Sequence, residues 1–409
     1  MGIYVNPGNT LYKEAVNSRI YVDKSEWISY TNTCLNTRQK NLCISRPRRF
    51  GKSTAADMLV AYYSRGCDSA ALFSGRKVEN DISFQEHLNR HNVIRLDVQQ
   101  FLESKNDADR FIVDMERAVV RELEKEFSDC GSFGDERLKN VLNQIFARKC
   151  ERFVFVMDEW DCVFRLAKNR EDAQKEYLDF LRGLFKGQEY VELAYMTGIL
   201  PIKKYGEHSA INIFDEYSMI DPRASAGLFG FTGDEVRQQC KEQNVDYAEM
   251  EKWYDGYLIG KQHIYNPKSV VDSLMWKKFK SYWAGSETYE ALKVYIDMNF
   301  DGLKEAVVEM LGGGRCAIDV STSQNDMTNF RTKDDVFTLL VHLGYLAFDE
   351  AAEEVFIPNR EIEQEFMRAV TVGGWEGLIN ALNRSEALRG EAGLCDMPVC
   401  RISRSPFLA

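Results

Sequence analysis

The stretch that decides the fold lies between residues 46 and 54 and reads RPRRFGKST. Immediately before it, Asn41–Ser45 is a short apolar run, which predicts a buried strand. Immediately after it, Ala55–Tyr63 is rich in helix-forming residues. The order predicts a strand that runs through a charged loop into a helix.

The end of this loop, Gly51-Lys52-Ser53, fits the phosphate-binding pattern GxxxxGK[ST], with Arg46 where the first Gly is usual. A Gly lets the backbone approach a phosphate, and the helix's first amides and its dipole favour an anion. Lys52 can reach the β- and γ-oxygens, and the Ser53 hydroxyl can bind Mg²⁺. An ordinary strand-to-helix turn is the alternative. The residues predicted to contact a nucleotide are Arg46, Pro47, Arg48, Arg49, Phe50, Gly51, Lys52, Ser53 and Thr54.

A second apolar run ends in two acids. Phe153–Met157 reads FVFVM and is followed by Asp158 and Glu159. The carboxyl ends of parallel strands meet at one edge of a sheet, so these acids are expected beside the phosphate loop. We predict that Asp158, with Ser53, holds Mg²⁺ and that Glu159 polarises the attacking water. Without the loop upstream, a solvated turn would explain two adjacent acids equally well.

A third strand, predicted over Leu193–Thr197, ends in a polar residue that is followed by Gly198. Thr197 is predicted to sense the γ-phosphate or to position the water, and a cap of a turn is the alternative. The predicted catalytic residues are Lys52, Glu159 and Thr197.

The arginines of the loop leave two interpretations open. Arg46, Arg48 and Arg49 either neutralise the charge of a triphosphate or pair with acids of a neighbouring domain. Arg48 or Arg49 could also act in trans on a second subunit.

The alternation of strands and helices predicts the fold class. Up to about residue 225 it indicates an α/β fold with a parallel sheet and helices on both faces. Beyond it we expect a helix, a hairpin and a helix between Thr332 and Ala369, which resembles a winged-helix module. The pattern therefore predicts an α/β domain over 1–225, and the last residues, 386–409, are predicted to form an irregular tail.

Composition excludes some classes of protein. The chain of 409 residues has 52 Lys and Arg against 63 Asp and Glu, which gives a net charge of −11. This charge argues against a protein that binds nucleic acid electrostatically over its whole surface. No apolar run approaches the roughly 20 residues that a membrane span needs. None of the ten Cys is spaced as CxxC, so a zinc ribbon is not expected. Cys43 lies in an apolar, strand-like run, where a buried thiol is expected, and we therefore predict a reduced cytoplasmic protein.

The motifs together are similar to those of one family. The segments that carry the resemblance are YVDK (21–24), RPRRFGKST (46–54), FVFVMDEWD (153–161), FLRGLFKG (180–187), MTGILPIKK (196–204), FGFT (229–232), KWYDGY (252–257) and IYNPKSV (264–270). Their order resembles the bacterial AAA-ATPase-like family, over roughly residues 3–385. The resemblance implies an ASCE-type P-loop core with the phosphate-loop strand beside the sensor strand, and it implies ATP and Mg²⁺ as ligands. The domains expected from it are a P-loop ATPase domain over 1–225, a helical lid over 226–290 and a helical and winged-helix-like module over 291–385, followed by the tail over 386–409.

Two features depart from the family. Pro201 stands where many members carry an Arg, with Lys203 and Lys204 nearby, which puts an arginine sensor there in doubt. Members usually carry a PD-(D/E)XK nuclease-like domain at the C-terminus, and after Arg389 no Asp followed by Glu-x-Lys is found. We therefore predict no nuclease activity for this chain.

Three functional hypotheses follow. The first is an Mg²⁺-dependent ATPase that uses hydrolysis as a conformational switch. The second is a nucleotide-binding interaction module with negligible hydrolysis, and the third is a DNA-associated protein of a defence or mobile-element system. The acidic charge does not favour direct DNA binding, and the sequence leaves a protein partner and homo-oligomers open.

Overall fold

A computed structural model describes the protein. It covers residues 2–102, 105–134, 136–167, 169–202, 212–283, 289–298, 300–320 and 330–372. The predicted tail at 386–409 and the pair Lys203 and Lys204 lie outside these residues. No helix in the described ranges is long and apolar enough to cross a membrane.

A five-stranded sheet forms the centre of the first half of the chain, in the order β2-β3-β4-β1-β5. Its strands are β1 (Asn41–Ser45), β2 (Asn92–Asp97), β3 (Phe153–Asp158), β4 (Val191–Gly198) and β5 (Asp215–Tyr217). All the pairings are parallel. The prediction of a parallel sheet is confirmed, and β4 lies between β1 and β3, as the family resemblance implied.

Helices cover both faces of this sheet, as predicted. Along β3, Phe155 packs into one apolar core with Leu142, whereas Val156 packs into the other with Leu59. The alternation follows from the period of two in a strand, and a strand buried on both faces is apolar throughout. The helices of this half are α1 (Thr10–Val16), α2 (Glu26–Cys34), α3 (Lys52–Tyr63), α4 (Ala70–Phe73), α5 (Phe84–His87), α6 (Phe111–Glu126), α7 (Leu138–Lys149), α8 (Cys162–Leu166) and α9 (Glu171–Phe185). Short 3₁₀ helices span Lys77–Asn80, Val98–Phe101, Lys105–Asp109, Ser128–Cys130 and Arg223–Ser225.

The segment predicted as a helical lid also contains a small antiparallel sheet, in the order β6-β8-β7. Its elements are β6 (Phe231–Thr232), α10 (Gly233–Gln243), α11 (Tyr247–Tyr254), β7 (Tyr257–Ile259), β8 (Gln262–Tyr265) and α12 (Pro267–Trp276). The prediction missed the strands because they have two to four residues, too few for an alternating pattern to stand out. Thr232 begins α10 with a capping box to Glu235.

The last described part contains the predicted helix, hairpin and helix. Its elements are α13 (Tyr289–Ile296), α14 (Leu303–Leu311), β9 (Cys316–Ala317), α15 (Lys333–Leu343), β10 (Ala347–Asp349), β11 (Glu354–Phe356) and α16 (Arg360–Val372). Gly344 ends α15 in the left-handed region, with φ of 85°. β9 adds a third strand to the hairpin. The winged-helix assignment itself stays a prediction.

Candidate functional site

A cavity of about 650 Å³ opens at the carboxyl edge of the parallel sheet. It is lined by Arg48, Arg49, Gly51, Lys52, Ser53, Thr54, Gln99, Glu159, Arg165, Pro267 and Lys268. The cavity therefore joins most of the predicted phosphate loop to the second of the two predicted acids.

The loop enters α3 through left-handed backbone. Arg49 has φ of 67° and Gly51 has φ of 85°, and a Cβ added to Gly51 would meet open space. The need for Gly at position 51 is therefore conformational and not steric. The turn brings the start of α3, with its unpaired amides, to the cavity.

Lys52 is almost entirely buried, with 4% of its surface exposed. Its Nζ donates to the carbonyl oxygens of Arg46 and Pro47, both at 3.0 Å. Burial lowers the pKa of Lys52, and the nearby carboxylates of Glu159 and Asp158 oppose that shift. The ammonium is thus held inside the loop, beside the acids that end β3.

Asp158 is fixed by the strand beside it. Its Oδ1 accepts hydrogen bonds from the Thr197 hydroxyl and, at 3.0 Å, from the amide of Glu159. Thr197 is fully buried and does not line the cavity. The structure therefore shows Thr197 as a support of Asp158, and its role at the γ-phosphate or the attacking water stays a prediction.

Glu159 follows β3 in the left-handed region, with φ of 52°, and lines the cavity. Non-Gly residues rarely adopt this conformation, and it is often found at functional sites. Its carboxylate forms an ion pair with Arg165. Burial raises the pKa of Glu159, and Arg165 and then Lys52 act against that rise.

Asp161, two residues further on, faces the protein interior. It is fully buried, and its Oδ2 accepts from the amides of Ile199 at 3.1 Å and Leu200 at 2.9 Å. The same oxygen lies 3.3 Å from Nε of Arg165. Asp161 therefore ties the end of β4 to Arg165.

Three residues of the predicted nucleotide set do not line this cavity. Arg46 is fully buried, and its guanidinium donates to the carbonyl oxygens of Ser45 and Tyr217 and to Ser225 Oγ. The Arg46 side chain is therefore bound within the fold and does not line the cavity, and a contact of this residue with nucleotide stays a prediction. Pro47 and Phe50 are also outside the lining, and Phe50 packs edge-on against Tyr257.

Sequence reasoning missed four lining residues, Gln99, Arg165, Pro267 and Lys268. For α12 a signal was present, because Asn266-Pro267 is a strong helix start, and Asn266 indeed caps the helix. The Asn266 side chain also donates to the carbonyl oxygen of Arg48 at 3.3 Å. For Arg165, the spacing of four residues from Asp161 is the pairing distance on a helix.

A second, smaller cavity of about 190 Å³ adjoins the first. Gly51, Thr54 and Pro267 line both cavities. The other residues around the small cavity are Ala15, Ser18, Ile20, Tyr21, Val22, Lys24, Phe50, Ala55, Met58, Leu228, Gly230 and Phe231. The walls are largely apolar and come from the N-terminal segment, α3 and the region around β6.

Residues 11–206 match the model of the AAA-ATPase_like family, described as a predicted AAA-ATPase. This match confirms the resemblance that the motifs indicated and supports a nucleotide-binding ATPase. A protein of Azotobacter chroococcum mcd 1, described as an uncharacterized protein in the vnfD 5' region, is 27% identical over 255 residues. The alignment covers 60% of this chain and 48% of that protein, so the chain spans about half the length of this relative.

Several solved structures are similar at low identity. A Walker-type ATPase of Pyrococcus abyssi is 12% identical with a TM-score of 0.41, covering 84% of this chain and 94% of that one. DnaA of Aquifex aeolicus, bound to AMPPCP, is 10% identical with a TM-score of 0.32, covering 94% and 98% of the two chains. The ORC2 protein of Aeropyrum pernix, in ADPNP and ADP complexes, is 10% identical with a TM-score of 0.28, covering 90% and 98%.

Proposed function

We propose that the protein binds ATP with Mg²⁺ in the large cavity and hydrolyses it, and that the nucleotide state acts as a conformational switch. One observation carries the proposal: Lys52, Ser53 and Glu159 line a single cavity at the carboxyl edge of a parallel sheet. The family match over residues 11–206 supports an ATPase.

The charge of the lining suits a triphosphate. Its basic side chains are Arg48, Arg49, Lys52, Arg165 and Lys268, against the single carboxylate of Glu159. Phosphoryl transfer depends mainly on positioning and on the neutralisation of phosphate charge, which such a lining provides. Lys52 would exchange the carbonyl oxygens of Arg46 and Pro47 for phosphate oxygens.

The smaller cavity suits the base and ribose. It is contiguous with the phosphate loop through Gly51 and Thr54, and Ile20, Met58 and Phe231 give it apolar walls. Pockets of this kind bind the flat faces of small ligands through apolar contact. We assign the adenosine to this cavity and the phosphates to the larger one.

The donors expected for Mg²⁺ fit a hard cation. Ser53 lines the cavity, and Asp158 uses Oδ1 for its bonds to Thr197 and Glu159, whereas Oδ2 takes part in neither of them. Among the described residues, no cluster of three acid, His or Cys side chains could hold a metal alone. Protein sites for Mg²⁺ commonly use one or two oxygen donors together with substrate phosphates, and the ion neutralises charge on the phosphates when bound.

Glu159 is the proposed base. A carboxylate that lines the cavity can accept a proton from the water that attacks the γ-phosphate. Burial raises its pKa towards the range that suits a base near neutral pH. Its ion pair with Arg165 must open before the carboxylate can take that proton.

The switch would act through the lid. Asn266, at the start of α12, donates to the carbonyl oxygen of Arg48, and Arg49 donates to the carbonyl oxygen of Tyr282 at 3.3 Å. Both contacts join the phosphate loop to segments beyond the sheet. A phosphate that reorders the loop would therefore shift α12.

Purified protein tests the proposal through ATP turnover with and without Mg²⁺. We expect turnover that requires Mg²⁺ and that disappears in Lys52→Ala, together with a loss of nucleotide affinity of about 100-fold or more, since a charged contact is removed. Lys241→Ala, on the last turn of α10, is the matched control and should behave as wild type. Equal ATP binding by wild type and Lys52→Ala would refute the assignment of the phosphate loop.

A second candidate, a nucleotide-binding module with negligible turnover, is favoured by one feature. Lys52 and Glu159 are both engaged within the protein, by the carbonyl oxygens of Arg46 and Pro47 and by Arg165. If this arrangement persists with nucleotide, hydrolysis is suppressed. Nucleotide that stays bound through purification, without turnover in Mg²⁺, would establish the second function.

A further inference from the structure

We propose that Arg165 exchanges Glu159 for the γ-phosphate of the bound nucleotide, so that it both restrains the base and senses the triphosphate. This inference rests on the proposed function. Arg165 lies on α8, four residues beyond Asp161, and lines the large cavity.

Arg165 faces two carboxylates through two different nitrogens of its guanidinium. Nε lies 3.3 Å from Asp161 Oδ2, whereas Nη2 pairs with Glu159 Oε2. A guanidinium has several donors in a planar fork, so its terminal nitrogens can take a phosphate while Nε stays in place.

Asp161 is a rigid anchor for this movement. It is fully buried, and the amides of Ile199 and Leu200 donate to its Oδ2, the oxygen that faces Arg165. Its position is thus fixed by the backbone after β4. A rotation of the terminal fork requires no movement of the sheet.

We expect the γ-phosphate to compete with Glu159 for Arg165, because a base that activates the attacking water must lie close to this phosphate. The cation that contacts this base therefore lies beside the phosphate too. The Arg165 side chain is 11% exposed and Glu159 is 21% exposed, so the exchange takes place where water screens charges weakly. ADP lacks the γ-phosphate, and with ADP bound Arg165 keeps its pair with Glu159.

The test compares the affinity for the non-hydrolysable analogue AMP-PNP with the affinity for ADP, by calorimetry on the full chain. In Arg165→Gln we expect AMP-PNP affinity to fall about tenfold or more, as a charged contact is lost, while ADP affinity changes less than about threefold. Arg165→Lys should recover part of the AMP-PNP affinity, because it restores the charge without the fork. Arg237→Gln, on α10, is the control and should leave both affinities unchanged.

Glu159→Gln should have the opposite effect on the affinity for AMP-PNP relative to ADP. Removal of the competing carboxylate frees Arg165, so AMP-PNP should bind more tightly, relative to ADP, than in wild type. ADP binding reports whether Arg165→Gln is folded with an intact loop.

Equal losses for AMP-PNP and ADP, or no change in their ratio, would overturn the exchange and leave Arg165 as a structural ion pair. The proposed function would fail differently, with wild type binding neither nucleotide.

Discussion

Glu159 and Asp161 stand two residues apart, yet only Glu159 lines the cavity. The left-handed backbone at Glu159, with φ of 52°, sets the direction in which its carboxylate leaves the chain. Asp161 is turned inward and accepts two amide hydrogen bonds from the end of β4. Two acids of the same motif therefore differ in chemistry because the backbone between them turns.

Substitution of these acids separates their roles. Glu159→Gln keeps the shape and removes the base, so turnover should fall by about 100-fold or more while nucleotide binding survives. Asp161→Asn should instead lower the free energy of unfolding, because it removes the charge that pairs with Arg165 at a fully buried site, by roughly 2 kcal/mol or more. Steady-state turnover and urea unfolding measure the two effects. Unchanged turnover in Glu159→Gln would mean that the base lies elsewhere.

Gly198 is required for packing. A Cβ at this position would lie 2.6 Å from Trp160 Nε1 and 2.8 Å from Asp161 Oδ1, closer than real Cβ atoms approach. Gly198→Ala must therefore displace the loop that carries Glu159, and we expect a loss of about 1 to 3 kcal/mol in stability together with reduced turnover. Chemical unfolding and turnover of the same preparation check this.

The matched control for that substitution is Gly183→Ala in α9. A Cβ there meets nothing within 4 Å, and Ala is the better helix former, so stability should stay level or rise slightly. If Gly198→Ala is as stable and active as Gly183→Ala, the close packing around Gly198 does not matter to the site.

At the scale of elements, the small cavity depends on how α3 faces the N-terminal segment and β6. Ala55 and Met58 lie one turn apart on α3 and both line this cavity. Ala55→Phe would place a ring in its space of about 190 Å³. We expect ATP and ADP affinity to fall about tenfold or more, because the ring takes the volume assigned to the base.

Inorganic tripolyphosphate distinguishes a blocked base cavity from a damaged phosphate loop. It should bind to Ala55→Phe as it binds to wild type, because its contacts lie in the large cavity. Ala70→Phe, at an exposed position of α4, should bind both ligands normally. Equal losses for ATP and tripolyphosphate in Ala55→Phe would place the base outside this cavity.

The sequence predicted the elements whose signals are local. β1, the loop and α3 follow one another directly, and β3 is an unbroken apolar run that ends at Asp158, so each was visible in one short window. The role of Arg46 was not visible in a short window, because its hydrogen-bond partners, Tyr217 and Ser225, are more than 170 residues away in the sequence. The strands β6, β7 and β8 are too short to show an alternating pattern. The pairing of Arg165 with Glu159 depends on a backbone turn for which the sequence carries no recognisable signal.

At the scale of the whole molecule, the buried acid Glu361 joins α12 to α16. It lies on α16, where its carboxylate accepts from Ser269 Oγ on α12 at 2.8 Å and from the amides of Tyr282 at 2.6 Å and Trp283 at 2.9 Å. α12 also supplies Pro267 and Lys268 to the nucleotide cavity. A movement of α12 that follows nucleotide binding would therefore reach α16 through this carboxylate.

This junction gives the protein a pH-dependent stability. Burial raises the pKa of Glu361 to about 7 from the ordinary 4.5, and its hydrogen bonds oppose the rise. The folded state thus holds the proton more tightly than the unfolded state does. The contribution of Glu361 to the free energy of unfolding is fully present below pH 4.5 and is lost as the pH rises to about 7. Within that window it changes by at most about 1.4 kcal/mol per pH unit.

Comparison with Glu361→Gln isolates this contribution, because other groups titrate equally in both proteins. The free energy of unfolding of wild type minus that of the variant should decrease with pH across the window, by on the order of 3 kcal/mol in total, and then level off. Urea unfolding at a series of pH values measures the difference. A difference that rises with pH would show that the folded state favours the ionised carboxylate, so that the three hydrogen bonds to Glu361 outweigh its burial.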